Sequence, residues 1–173
     1  MPTTLYPTST RDGLTRVTIW CAYTSGIVSI FGIVFLVAFF SSFVGMLGVL
    51  NDIAVVIQHF LMIPIALGLH KILRPSRPSL SQVGLLLGLV GMLVVIVLQL
   101  LFMTGVLPYS QYIGLVTAGF MVVLGWFLVV RNLHQSTEIV PRSVALTVLA
   151  GLYFGYPLWA FSLGRRLRAL DRD

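Results

Sequence analysis

Charged residues are scarce in this chain. Only 9% of its 173 residues are charged, whereas 58% are hydrophobic and the mean hydropathy is +1.00. Soluble domains carry about 25% charged residues, and a soluble fold of this size could not bury so much apolar surface, because small domains have a large surface for their volume. The shortage of charge excludes a water-soluble protein and predicts a single integral membrane domain over residues 1–173.

Residues with catalytic or ligating side chains are also few, with five Asp and Glu, three His and one Cys. Cys21 has no partner for an internal disulfide or a CxxC motif, so we interpret it as a packing residue. No HExxH, GxSxG or Walker-type phosphate loop occurs. Asp52 is the one acid near a predicted helix, which excludes paired catalytic carboxylates. We predict no catalytic residue, no metal site and no cofactor, and an enzyme is the least favoured class.

Haem is the one cofactor that the histidines bring into question. Ligation of one haem by two histidines requires them on facing helices at one depth, but His59 and His70 share a predicted helix and lie about 16 Å apart. His134 falls in a polar loop. Two copies of His59 could meet only in a dimer, so haem is not predicted.

Long apolar runs are abundant, and five of them contain the roughly 20 residues that a helix needs to cross a bilayer. The predicted helices span about 17–47, 52–73, 82–106, 111–130 and 143–164, between a polar N-terminal segment, 1–16, and a basic tail, 165–173. The first run exceeds the roughly 7–15 apolar residues of a cleaved signal peptide, so we expect a retained anchor. The fold class is therefore all-α, a polytopic membrane helical bundle of about five transmembrane helices.

Positive charge exceeds negative charge, with a net charge of +6. The basic residues lie at the ends of the apolar segments, as in membrane proteins with basic cytoplasmic loops; no surface with interleaved basic and aromatic residues suggests nucleic acid, and none is predicted as a partner. A cytoplasmic N-terminus puts seven of them inside: Arg11, Arg16, Lys71, Arg74, Arg77, Arg131 and Arg142.

The basic tail conflicts with this orientation. After five crossings Arg165, Arg166, Arg168 and Arg172 would lie outside. The last segment could instead re-enter, because Gly151, Gly155 and Pro157 are suited to break a helix. Its 22 residues suffice to span, and we favour a full crossing. The expected location is the plasma (inner) membrane, as a multi-pass protein.

Small residues form rows on four predicted helices. Such rows allow close approach of helices in lipid, where the hydrophobic effect does not drive helix association. We expect most of them to pack within the chain, and an alternative for any one row is a contact with a second copy or a partner. The rows are Ala22, Gly26 and Ser29; Gly84, Gly88 and Gly91; Gly114, Ala118 and Gly125; and Gly151 with Gly155.

A few polar side chains lie where hydrocarbon is expected. Counting 1.5 Å per residue from the outer surface puts His59 about 10 Å deep, with Gln99, Thr117 and Tyr156 near the same level on three other helices. Two interpretations stay open: a hydrogen-bonded layer that fixes helix register, or a cavity for a small molecule, lipid headgroup or ion. The candidate ligand-binding residues are Asp52, Gln58, His59, Gln99, Thr117 and Tyr156.

Two stretches, "LNDIAVVIQHFLMIPIALGLHKIL" and "YFGYPLWAFSLGRRL", give the chain a loose resemblance to small uncharacterised bacterial integral membrane proteins of the domain-of-unknown-function kind. The resemblance covers the second and last helices. It implies an inner-membrane helical bundle and carries no catalytic motif.

The resulting expectation for function is a membrane protein that acts by association, as an accessory subunit, regulator or scaffold. Its partners are the lipid bilayer and either a homo-oligomer or a membrane-complex partner. The alternative is binding or transport of a small molecule, lipid or ion through the polar layer around His59 and Gln99.

Overall fold

A computed structural model describes residues 13–134 and 152–170, and these residues form five helices and no strand. The helices are α1 (Gly13–Ser42), α2 (Gly45–Leu73), α3 (Pro78–Met103), α4 (Tyr109–His134) and α5 (Leu152–Leu170). Helices α1 to α4 pack in sequence as antiparallel neighbours, and α5 packs on α1. The prediction of an all-α helical bundle is therefore confirmed.

The link between α1 and α2 lies earlier than the sequence predicted. Helix α1 ends at Ser42 instead of 47, and α2 begins at Gly45 instead of 52. Phe43 adopts a positive φ of 54°, and its N–H donates to Phe39 O at 2.7 Å, which closes the last turn of α1. A left-handed phenylalanine is uncommon. The glycine nearest the break, Gly45, lies two residues later at the start of α2 and does not have a positive φ, so the sequence pattern did not predict a turn here.

The other two described links follow their proline and glycine signals. Helix α3 begins at Pro78, four residues before the predicted start, because proline suits the first turn of a helix. It ends at Met103, and Gly105 turns the chain with a φ of 74°. Helix α4 then runs from Tyr109, two residues before its predicted start, and continues to His134 instead of 130.

The α3 row of small residues packs within the chain, as predicted. A Cβ on Gly84 would lie 2.8 Å from Val129, one on Gly88 would lie 2.9 Å from Trp126, and one on Gly91 would lie 3.0 Å from the backbone nitrogen of Val123. These distances leave no room for a larger side chain. The row therefore lets the first half of α3 approach the second half of α4 closely.

Helix α5 runs antiparallel to α1. Tyr156 contacts Ser25, Ala160 lies against Gly26, and Gly164 lies against Tyr23. From Ala160 to Gly164 the contacts on α1 move back from Gly26 to Tyr23, so the two helices run in opposite directions. The C-terminal end of α5 therefore lies at the end of the bundle where α1 begins. The prediction favoured a full crossing by residues 143–164, which would carry the tail to the opposite end. For the described part of that segment this direction is wrong. Residues 143–151 lie outside the described residues, and the helix continues to Leu170.

The direction of α5 removes the conflict over the basic tail. Every lysine and arginine that the structure describes lies at one end of the bundle, which we call the basic end. They come from the first turns of α1, the α2–α3 link and the C-terminal turns of α4 and α5: Arg16, Lys71, Arg74, Arg77, Arg131, Arg165, Arg166 and Arg168. Hydropathy alone could not place the tail, because the folding back of α5 depends on packing.

Four helices, α1 to α4, are long and apolar enough to cross a membrane. Helix α5 is not among them; it has 19 residues and includes Pro157 and three arginines. Its buried face instead joins an aromatic cluster with α4, in which Trp159 meets Trp126 at 6.0 Å and Phe127 at 4.9 Å between ring centroids. The chain is thus a membrane-embedded bundle with four apolar helices and a fifth packed against them.

Candidate functional site

The end of the bundle opposite the basic end carries the first of two polar groups. Gln99 of α3 is buried, and its Oε1 accepts a hydrogen bond of 2.6 Å from the Tyr112 hydroxyl of α4. The carboxyl group of Asp52 on α2 contacts the side chains of Gln99 and Asn51. Side chains from three helices therefore meet here, close to the links that follow α1 and α3.

The Gln99 amide is only half satisfied. Its Nε2 is fully buried and has no well-formed hydrogen bond in the described part of the chain. A small rotation of either side chain would give this nitrogen the Asp52 carboxylate as its acceptor, because the two groups are already neighbours. Burying an amide donor without a partner costs free energy, so we interpret the Asp52–Gln99 pair as a contact that ties α2 to α3.

The second polar group lies nearer the middle of the bundle, where α5 packs on α1. Tyr156 is buried, and its hydroxyl donates to Ser25 Oγ at 2.8 Å, which in turn donates to Ala22 O at 3.1 Å. His59 of α2 is 3% exposed, and its Nδ1 lies 2.8 Å from Val55 O. A carbonyl oxygen only accepts, so Nδ1 carries a proton. In the neutral imidazole Nε2 then keeps its lone pair.

A small cavity lies beside this second group. Its polar lining consists of Ser29, Gln58, His59 and Tyr156, and the remaining lining is apolar or aromatic, from α2 and α4. About 20 Å³ is open to the centre of a water molecule, which is enough for one water. A lipid headgroup or a metabolite needs far more, since ligand pockets measure roughly 300–1,000 Å³.

The predicted polar layer is therefore divided. Gln58, His59 and Tyr156 come together at the cavity, whereas Asp52 and Gln99 form the separate group near the α3–α4 link. Thr117 joins neither group: it is exposed on α4, and its hydroxyl donates to Ile113 O at 2.6 Å within the same helix. The prediction that Thr117 belongs to this layer used its depth alone and did not include the side of the helix on which it lies.

Sequence reasoning did not assign a polar role to Ser25, Ser29 or Tyr112. Ser25 and Ser29 are four residues apart, on the buried face that also carries Ala22 and Gly26. This spacing was the available signal, since small residues one turn apart on a membrane helix mark a helix-packing face. Tyr112, near the start of α4, donates to Gln99.

A second histidine, His70, makes hydrogen bonds across the α2–α3 link at the basic end. His70 Nδ1 lies 2.9 Å from Ser81 Oγ and 3.2 Å from Ser81 O, and the serine hydroxyl lies 3.3 Å from His70 O. These bonds join neighbouring helices on either side of a tight turn. Across the described ranges, no three His, Cys, Asp or Glu side chains are grouped so that they could share a metal ion.

The α4 row of small residues has no close neighbour among residues 13–134 and 152–170. Nothing lies within 4 Å of a Cβ placed on Gly114 or Gly125, and Gly114 and Ala118 are exposed. With Met121, which is 58% exposed, these residues form one helix face. We call Gly114, Ala118, Met121 and Gly125 the outer face of α4. The expectation that this row packs within the chain stays a prediction for these residues, because α4 turns its other side, with Trp126 and Val123, toward α3, and no described residue covers the outer face.

Comparison with known proteins found no similar protein-family model, no similar curated protein and no similar solved structure.

Proposed function

We propose that this protein acts by association in its membrane, as an accessory subunit, regulator or scaffold, without catalytic chemistry of its own. The observation that carries the proposal is the outer face of α4, where no described residue lies near Gly114 or Gly125. A row of small residues on α3 is filled by α4 side chains. The two rows thus differ in one respect: α4 covers the first, and no described part of the chain covers the second, which leaves it available to a partner helix.

The physical basis for this contact is the packing of helices in lipid. Lipid tails are as apolar as leucine, so an apolar face alone gives no reason to associate. Glycine and alanine one turn apart let a second helix come close enough for extended van der Waals contact, as the small-xxx-small pattern of Gly114 and Ala118 allows. The contact partner is therefore another membrane helix.

The alternative function, binding or transport of a lipid or metabolite through the polar layer, receives less support. The cavity at His59 has room for one water molecule, and the six candidate residues do not line a common space. Most of the polar hydroxyls and amides described above bond one another or helix carbonyls.

The proposal also includes location and orientation. The collection of the described basic residues at one end supports a cytoplasmic position for that end, by the rule that basic residues stay on the cytoplasmic side. Helix α1 begins there, so the N-terminal side of α1 and the end of α5 both face the cytoplasm. We place the protein in a plasma (inner) membrane as a multi-pass protein, and its lipid contacts are the exposed apolar faces of α1 to α4.

Photo-crosslinking in the native membrane tests the proposal. A photoreactive diazirine analogue of methionine at Met121, on the outer face of α4, keeps the size of the side chain and should give a protein adduct of defined mass. The matched control places the same analogue at Val90, an exposed position on α3 outside the outer face of α4, and should give lipid adducts only. Equal lipid-only labelling at both positions would contradict association through α4.

A further inference from the structure

The cavity beside His59 is lined by polar atoms without a hydrogen-bond partner among the described residues. His59 uses Nδ1 on Val55 O, and no hydrogen bond is made by its Nε2 within the described ranges. Ser29 of α1 is 3% exposed and likewise has no hydrogen-bond partner among the described residues. Both side chains line the same cavity. An imidazole nitrogen and a hydroxyl on two neighbouring helices therefore line one small cavity.

Leaving these groups dry would be costly. A buried hydroxyl or imidazole nitrogen without a partner loses the hydrogen bonds that water would supply. An apolar cavity can stay dry, but a polar one of sufficient size takes up water that makes two to four hydrogen bonds. The lining supplies that number of partners: His59, Ser29, the Gln58 amide and the phenol oxygen of Tyr156, whose own proton is given to Ser25.

We propose that this cavity is a binding site for one water molecule, which donates a hydrogen bond to His59 Nε2 and bonds to Ser29 Oγ. The water joins α2 to α1 at a level where no direct side-chain hydrogen bond between His59 and Ser29 is made. It also keeps His59 in the form with its proton on Nδ1, since Nε2 is required as the acceptor. The size of the cavity restricts the ligand to water or a molecule of equal size.

This inference is independent of the association proposed above. The cavity lies between α1, α2, α4 and α5, and its α4 lining residues, Phe120, Val123 and Phe127, do not belong to the outer face of α4. Loss of the water site would leave the outer face unchanged, and loss of association would leave the cavity unchanged. The two proposals therefore fail separately.

Solid-state NMR of the full chain in lipid bilayers, with ¹⁵N-labelled histidine, tests the site. Substitution of His70 and His134 by Gln leaves His59 as the one signal. We expect Nδ1 to be protonated, Nε2 to be unprotonated, and magnetisation to pass from water to the His59 ring. A protonated Nε2, or a ring that receives no magnetisation from water, would overturn the proposal. This outcome needs no change to any residue that lines the cavity.

Two variants of α1 sharpen the test. Ser29→Val removes the hydroxyl and fills part of the cavity, so the water transfer to His59 should be lost. The matched control is Ser41→Val, because Ser41 is exposed on the same helix and its hydroxyl donates to Val37 O at 2.8 Å; the transfer should stay as in the unsubstituted chain. If S29V does not fold, Ser29→Ala should weaken the transfer, and unchanged transfer in S29A or in folded S29V would contradict the role of Ser29.

Discussion

Tyr156 of α5 donates a hydrogen bond of 2.8 Å to Ser25 of α1, across 131 residues of sequence. Both residues are buried, and further along α5 Ala160 lies against Gly26 and Gly164 lies against Tyr23. Together these contacts fix α5 antiparallel to α1. They also place the arginines of the last turns of α5 at the end of the bundle where α1 begins.

The first prediction concerns this topology. After Cys21→Ala, single cysteines at Arg74, Val106 and Arg168 should divide into two classes toward a membrane-impermeant maleimide in sealed vesicles. Positions 74 and 168 should label from the same side because both belong to the basic end, and position 106, in the α3–α4 link, should label from the other. Labelling of 168 together with 106 would show that the last helix crosses in the opposite direction.

The second prediction concerns the glycines that α3 turns toward α4. Gly91→Ala should lower the free energy of unfolding by about 1–3 kcal/mol, because the new Cβ would lie 3.0 Å from the Val123 backbone nitrogen, which cannot move without moving α4. Gly114→Ala is the control, since its Cβ meets nothing within 4 Å and alanine favours helix. Reversible unfolding of both variants in bicelles measures the difference. A G91A variant as stable as G114A would refute the close packing.

The third prediction measures the Tyr156–Ser25 bond by a double-mutant cycle. Tyr156→Phe, Ser25→Ala and the double variant should give a coupling free energy of about 0.6 kcal/mol, the average for hydrogen bonds between membrane helices. The gain is modest because the separated helices also find partners in the membrane. Additive effects of the two substitutions, measured by the same unfolding assay, would mean that the bond does not form.

Hydropathy and turn residues predicted the fold well where local chemistry decides it. Proline and glycine mark the α2–α3 and α3–α4 links, and both links occur there. The α1–α2 break at Phe43 has neither a first-turn proline nor a glycine with a positive φ, since the left-handed residue is a phenylalanine whose conformation depends on its surroundings. The direction of α5 depends on long-range packing of Tyr156 and Gly164, which no local pattern records.

The candidate site was predicted from depth alone, and the direction of each side chain around its helix was not predicted. Rise per residue placed His59, Gln99, Thr117 and Tyr156 near one level. The structure separates them because each helix is rotated by its own packing: Thr117 faces outward, and Gln99 faces Tyr112 instead of His59. Helix rotation is set by close packing of many side chains, and a single sequence does not specify it.

The fourth prediction concerns the outer face of α4, on which the proposed association depends. Ala118→Phe would fill the narrow space that Gly114 and Gly125 leave for a partner helix, so it should abolish association without unfolding the chain, because Ala118 is exposed. Val90→Phe places the same bulk on the exposed side of α3 and should leave association intact.

Native mass spectrometry of the chain, gently extracted from its own membrane, tests the central claim most directly. The account predicts a second polypeptide, either another 19.0 kDa copy or a different protein, in a fixed ratio. That polypeptide should be present with V90F and absent with A118F. A bare chain in the unsubstituted protein, or a partner that A118F retains, would contradict association through α4.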